Sequence, residues 1–157
     1  IIIVTMAIPE FIPRADQIDF RKARWCPVVN CVVVNGAEIL LVRRNADMKL
    51  YPNLWNGISG FLDDGKGLEE KVREEMSEEL GLVADDIESV HFAGVFDQDD
   101  ASIGKTWIVH AMLVHIKHRD IRIDWEAEEY RWLPFPEAKS MELVPGFDRV
   151  LELAEIL

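Results

Sequence analysis

One short stretch constrains this chain more than any other. Leu68, Val72, Met76 and Leu80 recur every four residues, which lays an apolar stripe along one side of a helix. Gly81 follows, placed to stop that helix in the left-handed conformation. The same segment carries Glu75, Glu78 and Glu79. At about 100° per residue the three carboxylates share one face, about 100° wide, beside the apolar stripe. A solvated helix normally interleaves Lys with Glu at four-residue spacing, and only Lys71 lies near this face. Hard cations would remove the repulsion, and an oxygen-rich cluster suits Mg²⁺ or Mn²⁺. Periodicity alone leaves two readings open, a metal site and a solvated acidic face.

Charge distribution sharpens the question. The 157 residues carry 17 basic and 29 acidic side chains, a net charge of −12. Residues 51–100 alone hold 3 basic and 14 acidic side chains, so nearly all the excess sits in the middle third. Such a field repels a phosphate backbone and argues against nucleic acid as a partner. A phosphorylated small molecule remains compatible if cations sit between it and the protein.

The rest of the chain reads as one domain, residues 1–157, with no repeat or Gly/Ser linker. Ile1–Val4 is apolar but too short, and lacks the basic flank, for a secretion signal or a membrane span; a first strand is expected there. Residues 8–24, with Pro9 and Pro13, read as an irregular arm, so residues 1–24 form an N-terminal strand and arm. The first residue is not Met, so further residues are expected upstream. Val28–Val34 reads as a buried strand, Asn35-Gly36 as a hairpin turn and Glu38–Arg43 as the return strand. An aromatic-rich loop is expected across Pro52–Gly57 and a turn at Asp63-Asp64-Gly65. Beyond the helix, Val90–Phe96 and Thr106–Ile116 are expected as strands joined by an acidic loop, Asp97–Asp100. Tyr130–Leu133 is expected as a strand, Pro134–Ser140 as a short helix, and Phe147–Leu157 as an amphipathic helix. This order implies an α/β (α+β) fold, a mixed sheet with helices packed on it. Cys26 and Cys31 match no zinc or redox spacing and face opposite sides of one strand, so both read as buried thiols in a reducing, cytoplasmic compartment.

The segment from Gly60 to Leu82 resembles the Nudix box: Gly, five residues, Glu, seven residues, then Arg-Glu-apolar-x-Glu-Glu-x-Gly-apolar. Gly60, Glu75, Met76, Glu78, Glu79, Gly81 and Leu82 fall in register. Leu40–Arg44 and Tyr130–Pro134 resemble the strands that flank the box, so the resemblance runs from about Pro27 to Ser140. It implies an α/β/α sandwich with the box helix and a C-terminal helix on a mixed sheet. Two positions depart: the first Glu of the box is Lys66 and its Arg is Glu74. A swapped Lys66–Glu74 ion pair that holds the loop to the helix is expected, against two unrelated surface changes.

The resemblance further implies divalent-metal-dependent hydrolysis of a nucleoside diphosphate linked to another moiety, with Mg²⁺ or Mn²⁺ as cofactor. The metal ligands carry over to Glu75, Glu78, Glu79 and the backbone carbonyl of Gly60. Glu75 either shares the metal or accepts the water proton. A later Glu often serves as ligand or base in this family; Glu126, Glu128 and Glu129 are the candidates, with Glu126 preferred as a catalytic residue and Asp97, Asp99 and Asp100 weaker. Arg43 and Arg44 are substrate-binding candidates, though strand alternation lets only one of them reach a phosphate. Trp55, like Trp25, Phe96 and Trp125, offers a ring on which a base could stack. The four His residues form no ligand pattern. Glu74 cannot orient its neighbour as the family's Arg does, so metal binding is expected to survive and catalytic efficiency to suffer. A Nudix-fold module that binds a nucleotide without cleaving it is the main alternative, and a non-hydrolytic enzyme such as an isomerase is a third. The expected partner is a small-molecule nucleotide or other diphosphate, with no nucleic acid and no membrane. The apolar first strand leaves room for a homodimer.

Overall fold

The structure is a computed structural model and describes residues 9–157. The strand expected at Ile1–Val4 lies outside the described residues. Residues 9–24 form an irregular arm with two turns. Seven strands follow in one mixed sheet: β1 (Trp25–Asn35), β2 (Glu38–Arg44), β3 (Trp55–Asn56), β4 (Ile58–Phe61), β5 (Ile87–Asp100), β6 (Lys105–Ile116) and β7 (Ala127–Leu133). Helix α1 (Leu68–Leu80) lies between β4 and β5; α2 (Phe135–Lys139) and α3 (Phe147–Glu155) close the chain.

Strand β1 is the hub. Its whole length runs parallel to β6, its first half pairs antiparallel with β4, and its second half pairs antiparallel with β2. The Asn35-Gly36 hairpin forms as expected, with Asn35 opposite Glu38 and Gly36 at φ +65°. β2 also pairs with β3 and β7.

Strand alternation divides the core into two layers. On β1, Cys26, Val32 and Val34 face one layer with α3, while Val29, Cys31 and Val33 face the other with α1. On β6, Trp107, Val109, Ala111 and Leu113 join the α3 layer, and Met112, Val114 and Ile116 join the α1 layer. Both cysteines are fully buried, on opposite faces. Val72, Met76 and Leu80 are the buried stripe of α1, and Gly81 ends the helix at φ +70°, with Leu82 N–H donating to Met76 O at 3.1 Å.

Two readings are corrected. Asp97–Asp100 is not a loop: β5 continues through Asp100, which pairs with Lys105, and the turn falls at residues 101–104. Hydrogen bonds on the adjacent strand override the low strand preference of aspartate. Within the segment read as an aromatic loop, β3 forms on the edge of β2, and β4 follows directly on the edge of β1. β4 carries Gly60, so the box begins on a strand.

Candidate metal and hydrolytic site

Gly60 sits on β4 opposite Val29, with α1 packed above it. A Cβ at Gly60 would stand 2.1 Å from Glu75 Oε1 and 2.4 Å from its Cδ. Glycine leaves room here for the carboxylate, which occupies the space a side chain would take. The Glu75 carboxyl is therefore held against the strand backbone.

The helix face brings Glu75, Glu78 and Glu79 together with Glu126, from the loop before β7. Burial is the largest influence on Glu75, and the charges of Glu78 and Glu126 add to it; its pKa is pushed up to about 8. Burial and the nearby charge of Glu74 raise Glu78. Glu79 is pushed well above the usual carboxylate range, first by burial and then by the neighbouring Glu126 carboxyl. Its Oε2 atom is buried with no hydrogen-bond partner. Asp124 belongs to the same cluster: burial and the charge of Glu126 push it up to about 6, and its Oδ1 accepts the Glu126 N–H at 3.1 Å. Reading the loop as far back as two residues before Glu126 would have found it.

A cavity opens beside these groups, lined by Arg44, Asn56, Ser59, Glu79, Asp124 and Glu126 among others. Asn56 and Ser59 were missed in the sequence because polar residues in a short strand carry no distinguishing pattern. Asn56 accepts from Asn30 Nδ2 at 2.9 Å and donates to Ser59 Oγ at 3.2 Å.

The two arginines separate as strand geometry demands. Arg44 shares the face of Val42 and reaches the cavity, while its Nε donates to Leu50 O at 2.9 Å. Burial lowers its pKa, against the pull of the Glu126 and Glu79 charges. Arg43, the other substrate-binding candidate, does not line the cavity. It points to the other face and is committed to Glu128 at 3.2 Å and Glu129 at 3.1 Å. Neither of those two carboxylates lines the cavity. Trp55 does not line the cavity either. It is 6% exposed within the core, and Arg131 covers its ring at 5.0 Å, so no base can stack there. Phe96 is equally buried beneath Arg149, whereas Trp25 and Trp125 are exposed. Asp99 and Asp100 accept hydrogen bonds from Thr106 and Tyr51, each at 2.6 Å, and do not line the cavity.

Lys66 Nζ lies 2.6 Å from Glu74 Oε2 and donates to it. The pair is not isolated. Lys71 Nζ reaches Asp64 at 3.0 Å and Asp63 and Glu74 at 3.5 Å, and Arg14 of the arm reaches Asp64 at 3.5 Å.

Five clustered carboxyls, one with a bare buried oxygen, form an all-oxygen donor set. That set fits a hard divalent cation. Among the described residues no three acidic, His or Cys side chains already converge as a finished coordination shell.

An α/β/α sandwich presenting an acidic helix over a strand glycine defines a class of protein. A model of the NUDIX domain matches residues 19–154, and the chain belongs to that family. The chain is similar to nucleoside triphosphatase NudI of Klebsiella pneumoniae, 26% identical over 141 residues, covering 84% of this chain and 95% of the relative. It is 39% identical over 65 residues to the mitochondrial NAD(P)H pyrophosphatase NUDT13 of Mus musculus, covering 41% of this chain and 18% of that one. The crystal structure of a MutT NUDIX hydrolase from Burkholderia pseudomallei shares the fold, with a TM-score of 0.71 at 23% identity, over 82% of this chain and 97% of that one.

Proposed function

We propose that this chain, acting as one domain in the cytoplasm, is a Mg²⁺- or Mn²⁺-dependent pyrophosphohydrolase for a nucleoside diphosphate linked to another moiety. The observation that carries the reading is Glu79 Oε2, buried without a partner beside Glu75 and Glu126. A buried acceptor left bare costs the full desolvation of that atom, so an arrangement of this kind is retained where something else completes it. The names of the two curated relatives, a nucleoside triphosphatase and an NAD(P)H pyrophosphatase, support the same substrate class.

Glu75, Glu78, Glu79 and the Gly60 carbonyl are the groups that would hold the ion. When bound, a divalent cation neutralises the diphosphate, polarises the phosphoryl group and lowers the pKa of its water. Arg44, fixed by its bond to Leu50 O, supplies a guanidinium at the cavity wall to orient a phosphate. Glu126, at the cavity wall, would accept the proton of the attacking water, with Glu75 as the other candidate. The core beneath β2 and β4 keeps bulk water from behind these groups.

The test is a panel of nucleoside diphosphate derivatives and triphosphates, incubated with purified protein and Mg²⁺ or Mn²⁺, with phosphate-containing products quantified. Metal-dependent turnover that disappears in Glu78→Gln is expected. A folded, metal-binding protein inert toward the whole panel would refute the hydrolase and leave a nucleotide-binding module.

A further inference from the structure

Lys71 is the one basic side chain that is buried among the described residues, at 3% exposure. It lies on α1 one turn before Glu75. Its ammonium has three N–H donors, and it faces three carboxylates: Asp64 at 3.0 Å, Asp63 at 3.5 Å and Glu74 at 3.5 Å. Burial alone would lower the Lys71 pKa, and these partners raise it, so the charge is kept. Asp64 is likewise held low by Lys71 and Lys66 in spite of its own burial. A buried ammonium is a costly way to hold a helix, and an apolar side chain would pack there at less cost.

The position gives the ammonium a second effect. Asp63 and Asp64 follow Gly60 closely along the chain, and α1 carries Glu75 and Glu78. Lys71 joins the two. It also draws Glu74 toward the turn, where Lys66 completes the grip at 2.6 Å.

We propose that Lys71 is a positioning residue for the acidic site. Its buried ammonium supplies, from one turn earlier on the helix, the cation that the box pattern places at position 74 and that Glu74 cannot provide. It locks the turn after Gly60 to the face that bears Glu75 and Glu78. The inference rests on reading that face as a metal site.

Three variants test it: Lys71→Met, Lys71→Arg, and Lys66→Glu/Lys71→Ala/Glu74→Arg, which moves the cation from 71 to 74. Mn²⁺ affinity of the metal-free protein is read by electron paramagnetic resonance, alongside kcat, KM and the melting temperature. Lys71→Met is expected to bind Mn²⁺ about 10–100-fold more weakly and to lose kcat by a similar factor at unchanged KM. Lys71→Arg and the triple variant are expected to regain most of both. A Lys71→Met protein that melts lower but keeps parental Mn²⁺ affinity overturns the proposal, because a purely structural lysine behaves so. If Lys71→Met does not fold, the triple variant decides: folded but still about 10-fold weaker for Mn²⁺ than the parent, it overturns the proposal as well. A parent that binds Mn²⁺ without turnover refutes only the hydrolase reading and leaves the affinity comparison valid. A parent that does not bind Mn²⁺ refutes the site and the role of Lys71 with it.

Discussion

Replacing Gly60 with Ala tests how closely the site is built. The new methyl would stand 2.1 Å from Glu75 Oε1, and ordinary contact begins near 3.4 Å, so the carboxylate must retreat by about 1.3 Å. Gly60 is not among the residues with positive φ, so Ala brings no backbone strain. The obstacle is the far end of a flexible side chain, which can move off its rotamer for roughly 1 kcal/mol. In a chain of this size that lowers the melting temperature by roughly 2–4 °C. Rate is far more sensitive, since a misplacement of about 1 Å in a reacting constellation costs on the order of 100-fold. The assay is kcat and melting temperature for Gly60→Ala, Glu75→Ala and the double variant. In the Glu75→Ala background the carboxylate is gone, and the thermal penalty of Gly60→Ala should vanish. Parental kcat in Gly60→Ala, or a penalty that survives undiminished in the double variant, would show that the glycine does not serve Glu75.

Three further outcomes are expected. Glu75 has an ordinary pKa of 4.5 and a folded one of about 8, so the metal-free fold holds its proton more tightly than the unfolded chain does. The resulting stabilisation is complete below pH 4.5 and is lost as pH rises through 8, so the melting temperature in chelator should fall across that window and Mg²⁺ should flatten the slope; a rise with pH in chelator would contradict this. Arg44→Ala should raise KM by about 10–100-fold, the worth of a hydrogen bond to a charged group, while Arg43→Ala leaves KM unchanged, as steady-state kinetics on one substrate will show. The double variant Lys66→Glu/Glu74→Arg should melt below both the parent and the triple variant, because it sets a carboxylate at position 66 beside Asp64 and a guanidinium at position 74 beside Lys71; equal melting temperatures by calorimetry would refute that coupling.

Local pattern determined much of this protein by itself. The four-residue apolar spacing and Gly81 define α1 to the residue, because helix ends are written in short-range chemistry. Asn35-Gly36 defines the hairpin for the same reason, and the spacing of Gly60, Glu75, Glu78 and Glu79 names the acidic face. Alternation along β1 foretold that Cys26 and Cys31 would bury on opposite sides, and alternation along β2 that a single arginine would reach the site. What alternation could not say was which face is which, since that depends on where β7 and α1 dock. Only the tertiary structure assigned Arg44 to the cavity and Arg43 to Glu128 and Glu129. It likewise buried Trp55 under Arg131, extended β5 through four acidic-segment residues, and added Asp124 to the cluster. Each of these rests on a partner that the local pattern does not name, from Lys105–Ile108 across the β5–β6 turn to Glu128, Glu129 and Arg131 far along the chain. The same holds for Lys71, which in the sequence is one lysine beside many glutamates. Its burial against Asp63, Asp64 and Glu74 exists only once the turn has folded over the helix.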